Sequence, residues 1–158
     1  MGTSKKCILV VDDDDSVVKS LTTLVALEAP QHEVAGYVSP LVALEAIRRR
    51  PIDLAISDYL MPDMDGVSFL KEVRRLYPAI QLIVLTGYAD KESAIRAINE
   101  VRLYQYLEKP WNNDDLLRVI DSGLNERMLI YRLQEHAQEL EARVRHLNQQ
   151  LESFKQKA

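Results

Sequence analysis

Four short apolar runs, each closing on polar side chains, restrict what this chain can become. Cys7-Ile8-Leu9-Val10-Val11 runs into Asp12 and Asp13, and Leu54-Ala55-Ile56-Ser57 runs into Asp58. Leu82-Ile83-Val84-Leu85 ends at Thr86, and Tyr106-Leu107-Glu108 ends at Lys109. Runs this short and this rich in aliphatic and β-branched residues suit strands covered on both faces. If they lie parallel in one sheet, their polar ends meet at one edge.

The segments between them carry a helical period. Val17, Val18, Leu21, Leu24, Val25 and Leu27 form one such pattern. Leu41, Val42, Leu44, Ala46 and Ile47 form the next, with Ser39 placed as N-cap and Pro40 in the first turn. Val67, Phe69, Leu70, Val73 and Leu76 precede Pro78, which stops the third pattern; Ala94, Ile95, Ala97, Ile98 and Val101 make the fourth. Leu116, Leu117, Val119, Ile120 and Leu124 make the fifth, behind a cap at Asn112 or Asn113 and acids at Asp114 and Asp115. With a further strand over Glu33–Tyr37, the order is a repeated strand then helix. That order predicts an α/β fold with a doubly wound parallel sheet and right-handed crossovers. Ligands of such sheets bind beyond the carboxyl ends of the strands, where the polar groups sit.

Composition narrows the function classes. A net charge of -4 offers no basic excess for nucleic acid. No stretch approaches the ~18 apolar residues of a membrane span, and a lone cysteine fits a reducing, cytoplasmic setting. Cys7 reads as a buried, inert thiol. His32, His136 and His146 match no zinc spacing and read as solvated surface residues. Asp14 and Asp15 read as the cap and first-turn acid of the first helix, Asp63 and Asp65 as turn residues before Gly66, and Arg48-Arg49-Arg50 as a solvated helix end.

The clustered groups define a chemistry. Asp13 and Asp58 can each give a carboxylate oxygen to a hard cation such as Mg²⁺, and the backbone carbonyl of Leu60 a third; Asp12 can hold a metal-bound water. Packing these carboxylates together is unfavourable without a cation. Asp58 is then a nucleophile able to form an acyl phosphate. Lys109 can pair with a phosphoryl oxygen and Thr86 can donate its hydroxyl to another. Movement of Thr86 toward a phosphoryl group leaves a gap that Tyr106 can fill, which couples chemistry to surface shape.

These residues resemble the receiver domain of bacterial two-component response regulators. Val10-Val11-Asp12-Asp13 is similar to the family's acidic pair, and Ser57-Asp58-Tyr59-Leu60-Met61-Pro62-Asp63-Met64-Asp65-Gly66 to its phosphoacceptor strand and following loop. Leu85-Thr86-Gly87 resembles the switch hydroxyl, Lys109-Pro110 the lysine and a proline usually cis, and Tyr106 the aromatic switch. The resemblance covers about residues 5–124. It implies a flavodoxin-like five-stranded sheet in the order 2-1-3-4-5, a Mg²⁺ cofactor, and phosphorylation of Asp58 by a histidine kinase or phosphotransfer protein. Leu60 and Tyr88 stand where family members border the path of the hydrolytic water; neither orients water well, which implies slow loss of the phosphoryl group.

The chain departs from the family in the turn Asn99-Glu100-Val101-Arg102-Leu103-Tyr104, where a Gly-Ala turn is commoner. With Lys109-Pro110-Trp111-Asn112, this segment is similar to regulators that carry cyclic-di-GMP phosphodiesterase or phosphatase-type output modules. An output module is therefore expected outside these 158 residues. Two other readings of the site are a pseudo-receiver scaffold, which the intact polar set argues against, and an aspartyl-phosphate phosphatase of related fold. Phosphatases of the haloacid-dehalogenase type carry the nucleophile on the first strand and a cap region, neither of which fits. No activity on an outside substrate is expected beyond self-phosphorylation and slow self-dephosphorylation.

Residues 125–158 differ in kind. They hold no Pro or Gly, and Leu133, Leu140, Leu147 and Phe154 recur every seventh position, each three residues after Ile130, Ala137, Val144 and Leu151. Such a seam predicts a coiled-coil helix serving as a linker or as a homodimerisation segment.

Overall fold

Alternating apolar runs and amphipathic stretches resolve into ten elements in a computed structural model that describes residues 5–87 and 91–157. In chain order they are β1 (Cys7–Val11), α1 (Asp15–Glu28), β2 (Glu33–Tyr37), α2 (Pro40–Ile47) and β3 (Leu54–Asp58). Next come α3 (Gly66–Leu76), β4 (Gln81–Thr86), α4 (Lys91–Val101), β5 (Gln105–Glu108) and α5 (Asn113–Lys157). The five strands are parallel in the order β2-β1-β3-β4-β5. This is the flavodoxin-like arrangement expected from the sequence.

The central strands explain their own composition. β1, β3 and β4 are buried along their whole length, so no polar alternation survives in them. Odd-numbered β1 residues Cys7, Leu9 and Val11 pack with Ala43 and Ile47 of α2 and Phe69, Leu70 and Val73 of α3. Even-numbered Ile8 and Val10 pack with Leu21 and Val25 of α1 and Leu116, Ile120 and Leu124 of α5. Truncating the fully buried Phe69 to Ala would cost about 3–5 kcal/mol, by lost transfer energy and an unfilled cavity.

Helix starts obey the polar punctuation. Asp14 caps α1 through the Ser16 N–H at 2.9 Å, with Asp15 in the first turn. Ser39 caps α2 ahead of Pro40. Asn112 accepts from the N–H groups of Asp114 and Asp115 at 2.9 and 3.1 Å, which makes it, and not Asn113, the cap of α5. Asp65 does more than fill a turn: it is the N-cap of α3 and accepts from Ser68 N–H at 2.9 Å.

Three expectations need correction. His32 is half-buried, its Nδ1 has no partner among the described residues, and burial lowers its pKa below the ordinary histidine value. It sits between α1 and β2, where its N–H donates to Ala29 O at 3.0 Å. Arg50 is no free helix end: α2 stops at Ile47, and Arg50 pairs with Glu33 at the start of β2. In α2, Leu41 and Val42 are exposed, because an eight-residue helix buries only the face bearing Ala43 and Ile47.

The turn between α4 and β5 carries an unforeseen feature. Arg102 adopts φ 54°, the left-handed region that disfavours side chains with a Cβ. Its carbonyl accepts from Arg74 Nη2 at 2.8 Å, while Arg74 Nη1 donates to Pro78 O at 3.0 Å and Ile80 O at 2.6 Å. One guanidinium from α3 thus serves three loop carbonyls.

The chain divides into two compact units, Met1–Arg127 and Met128–Ala158. The first contains the sheet. The second is helical through Lys157, with Leu133, Leu140, Val144, Leu147, Leu151 and Phe154 exposed. Among the described residues, no helix is long and apolar enough to cross a membrane.

Candidate functional site

Strand register brings the polar ends together. Val11 lies beside Ser57, Asp58 beside Leu85, and Thr86 beside Glu108. The chain therefore leaves β1, β3, β4 and β5 at one edge, carrying Asp12, Asp13, Asp58, Thr86 and Lys109 with it.

Asp12 is 1% exposed and anchored from several sides. Its N–H donates to Tyr37 O at 3.2 Å, and its Oδ1 accepts from Asp14 N–H at 2.9 Å. Its Oδ2 accepts from Lys109 Nζ at 2.7 Å, and the same ammonium lies 3.0 Å from Asp58 Oδ1. Asp13 faces solvent. Oxygen atoms of Asp12, Asp13 and Asp58 all lie within 4.8 Å of one another. Three clustered carboxylates thus share one described ammonium, which pairs with two of them, an excess of negative charge that a divalent cation would offset. The donors are hard oxygens, the kind Mg²⁺ takes. This residue set fits the cation, with Asp12 drawn into the same cluster as Asp13 and Asp58.

Burial raises the Asp58 pKa above the usual carboxylate range; the Asp12 charge adds to this, and Lys109 opposes it. Burial also works against the charge on Lys109, but hydrogen bonds to Asp12 and Asp58 outweigh it and hold the ammonium's pKa above its ordinary value. Lys109 is joined to Pro110 by a cis peptide bond.

The loop after Asp58 is tightly built. Ser57 Oγ donates to Asp58 O at 3.0 Å, and Gly66 N–H donates to Tyr59 O at 2.8 Å. A Cβ on Gly66 would lie 1.9 Å from Asp58 O, so only glycine fits at the head of α3. Leu60 is exposed beside Asp58. Tyr88 lies outside the described residues.

Thr86 is fully buried and its Oγ1 has no hydrogen-bond partner among the described residues. An unpaired buried hydroxyl costs about 1–3 kcal/mol, a penalty that calls for a reason. Val84 is the register partner of Tyr106, so Thr86, two residues on, shares a sheet face with that ring. Tyr106 is half-buried against the cluster containing Val84. Trp111 packs on the opposite cluster with Leu116 and Ile120, and its Nε1 donates to Asn113 Oδ1 at 3.2 Å.

Two residues that support the sheet carry no signal in the sequence. Asp53 Oδ2 accepts from Cys7 N–H at 2.8 Å, and its other oxygen pairs with Arg127. This clasp lies at the opposite end of the sheet and ties α5 to the start of β1. Neither residue stands in a pattern, and only the fold joins positions 74 apart.

Comparison with known proteins agrees with this geometry. Residues 8–121 match the response regulator receiver domain. The chain is 34% identical over 129 residues to the hydrogenase transcriptional regulatory protein HoxA of Cupriavidus necator, covering 82% of this chain and 26% of that one. It is 38% identical over 123 residues to the transcriptional regulatory protein ZraR of Escherichia coli O157:H7, covering 78% and 27%. The chain thus spans about a quarter of the length of these curated relatives. Among solved structures, the receiver domain protein from Clostridium thermocellum superposes with TM-score 0.73 at 30% identity, covering 79% of this chain and 98% of that one. The receiver domain of an HD domain-containing protein from Pseudomonas fluorescens Pf-5 gives TM-score 0.72 at 31% identity, with 78% and 98% covered. The relatives are regulators of several kinds joined by this one domain, and the chain belongs to the response regulator receiver family.

Proposed function

We propose that Asp58 accepts a phosphoryl group from a histidine kinase or phosphotransfer protein, and that this chain relays its arrival as a change of surface. The observation that carries the reading is the Lys109 ammonium bridging Asp12 and Asp58 at the end of a buried sheet. A buried carboxylate with an ammonium beside it, next to the exposed Leu60, supports attack on an incoming phosphorus.

In the transfer, an Asp58 carboxylate oxygen bonds to phosphorus as the donor's P–N bond breaks. The bond pair leaves with the imidazole nitrogen, which takes up a proton. Asp12, Asp13, Asp58 and the Leu60 carbonyl would hold Mg²⁺, which when bound offsets charge on the phosphoryl oxygens. Lys109 releases its hold on the Asp58 carboxylate and meets a phosphoryl oxygen instead. Thr86 turns its unpaired hydroxyl to another, which relieves the penalty of its burial. Tyr106, on the same face of the sheet, moves into the space that Thr86 leaves.

The change passes from β5 to α5 and on to an output module or a partner copy. We read residues 5–124 as the receiver and 125–158 as a coiled-coil linker or homodimerisation segment. The chain turns over no outside substrate in this reading; its chemistry is its own phosphorylation and slow dephosphorylation.

Incubation with acetyl phosphate and Mg²⁺ tests this. Mass spectrometry is expected to show one adduct of about 80 Da on the native chain, the mass of a transferred phosphoryl group, and none on Asp58→Asn. Removal of Mg²⁺ by chelation should abolish it. With Leu60 unable to orient water, the adduct should decay over hours in order of magnitude. Absence of an adduct on the folded native chain in Mg²⁺ overturns the proposal.

A further inference from the structure

The second unit exposes an apolar seam whose flanking charges encode a direction. With Ile130, Ala137, Val144 and Leu151 at heptad position a, Leu133, Leu140, Leu147 and Phe154 fall at d. Ala137 apart, the a residues are bulky aliphatics. β-Branched Ile130 and Val144 at a, with leucine at most d positions, favour two parallel strands over higher assemblies. The residues beside the seam are Arg127, Gln134, Glu141, Asn148 and Lys155 at e, and Leu129, His136, Arg143, Gln150 and Lys157 at g.

We propose that this seam is covered by the same seam of a second copy, with the two helices parallel and in register. In that arrangement each g residue faces the e residue five positions on in the other helix. His136 then meets Glu141, Arg143 meets Asn148, and Gln150 meets Lys155. No like charges oppose one another. The antiparallel arrangement that uses all four heptads pairs Ile130 with Phe154 and Leu140 with Val144. It sets Arg143 against Arg143 and Glu141 against Glu141, and brings Arg127 to Lys155. Sliding by one heptad removes those repulsions, but only by leaving Leu151 and Phe154, or Ile130 and Leu133, outside the seam. Charge and burial agree in the parallel case alone.

The inference deepens the reading of residues 125–158 as a dimer segment and is independent of phosphorylation. A spin label on Gln156→Cys of the full chain tests it, at a position facing away from the seam. Cys7 is buried, and the labelled parent chain serves as the blank. In parallel register the two labels lie side by side, and electron dipolar spectroscopy should return a separation of a coil diameter plus linkers, within about 30 Å. In the full antiparallel register, residue 156 lies beside residue 128 of the other helix. The labels are then displaced by about 42 Å along the axis, 28 residues at 1.5 Å each. That distance, in a species sedimenting as a dimer, overturns the orientation and leaves dimerisation standing. A monomer by sedimentation at tens of micromolar, with no dipolar coupling, overturns both.

Discussion

At Arg102 a residue with a full side chain holds a conformation that suits glycine. The left-handed region costs a non-glycine residue about 1–2 kcal/mol, partly offset by the greater freedom glycine has when unfolded. The Arg74 bonds run to backbone carbonyls and survive substitution. Arg102→Gly is therefore expected to stabilise the chain by about 0.5–1 kcal/mol, read as a rise of a few degrees in the thermal midpoint. A lower midpoint would show that the arginine side chain contributes more than its backbone costs. Cys7 gives a second prediction. Burial raises its pKa; Glu33 and Asp53 add to this, while Arg50 opposes it. The folded thiol thus ionises at higher pH than the unfolded one. Stability linked to Cys7 is complete below about pH 8.5 and is lost as pH climbs through the folded value. The native protein should leave a thiol reagent nearly unreacted at pH 8, and should lose stability above pH 9 more steeply than Cys7→Ala. Rapid labelling of the native chain at pH 8 would contradict this.

Among the elements, the link from β3 to α3 is the most tightly specified. Gly66 lies where any Cβ would meet the carbonyl of Asp58, so Gly66→Ala must push β3 and α3 apart. A loss of about 2–4 kcal/mol in urea unfolding is expected, with weaker Mg²⁺ binding read by the fluorescence of Trp111, the only tryptophan. Unchanged unfolding would mean that the loop yields at no cost. The same link shows how far the sequence can be read. An apolar run closing on Asp58 places the strand and its acid, because burial on both faces leaves a plain signature. Ser39 and Asp14 mark helix starts, since caps are local chemistry. Asp65 reads as a turn residue although it caps α3, because cap and turn use the same side chain and differ only in whether a helix continues beyond it. His32 and Arg50 are illegible for another reason. Arg50 meets Glu33 of β2 and His32 is partly covered only in the folded chain, and no local pattern records such neighbours. The Thr86 hydroxyl, without a partner among the described residues, is equally invisible in the sequence, since such pairing is a property of the packed interior.

Across the whole molecule, the site draws on the first strand, the third, the fourth and the segment after the fifth. Lys109 and Asp12 are 97 residues apart and touch only when every intervening strand has taken its place. Fragments should therefore divide sharply. A chain of residues 1–127, the first compact unit, is expected to take a phosphoryl group from acetyl phosphate. One ending at Tyr104 lacks β5 and Lys109 and is expected to take none; an adduct on Asp58 in that fragment would count against the role of Lys109. During synthesis, Asp58 emerges from the ribosome some fifty residues before the lysine that pairs with it. On the proposed function, a half-made chain can thus carry Asp58 and still be unable to take a phosphoryl group. If Asp58 is the acceptor proposed above, the same lysine makes the receiver its own quality check, because only a chain whose five strands have closed in order brings Lys109 to Asp58.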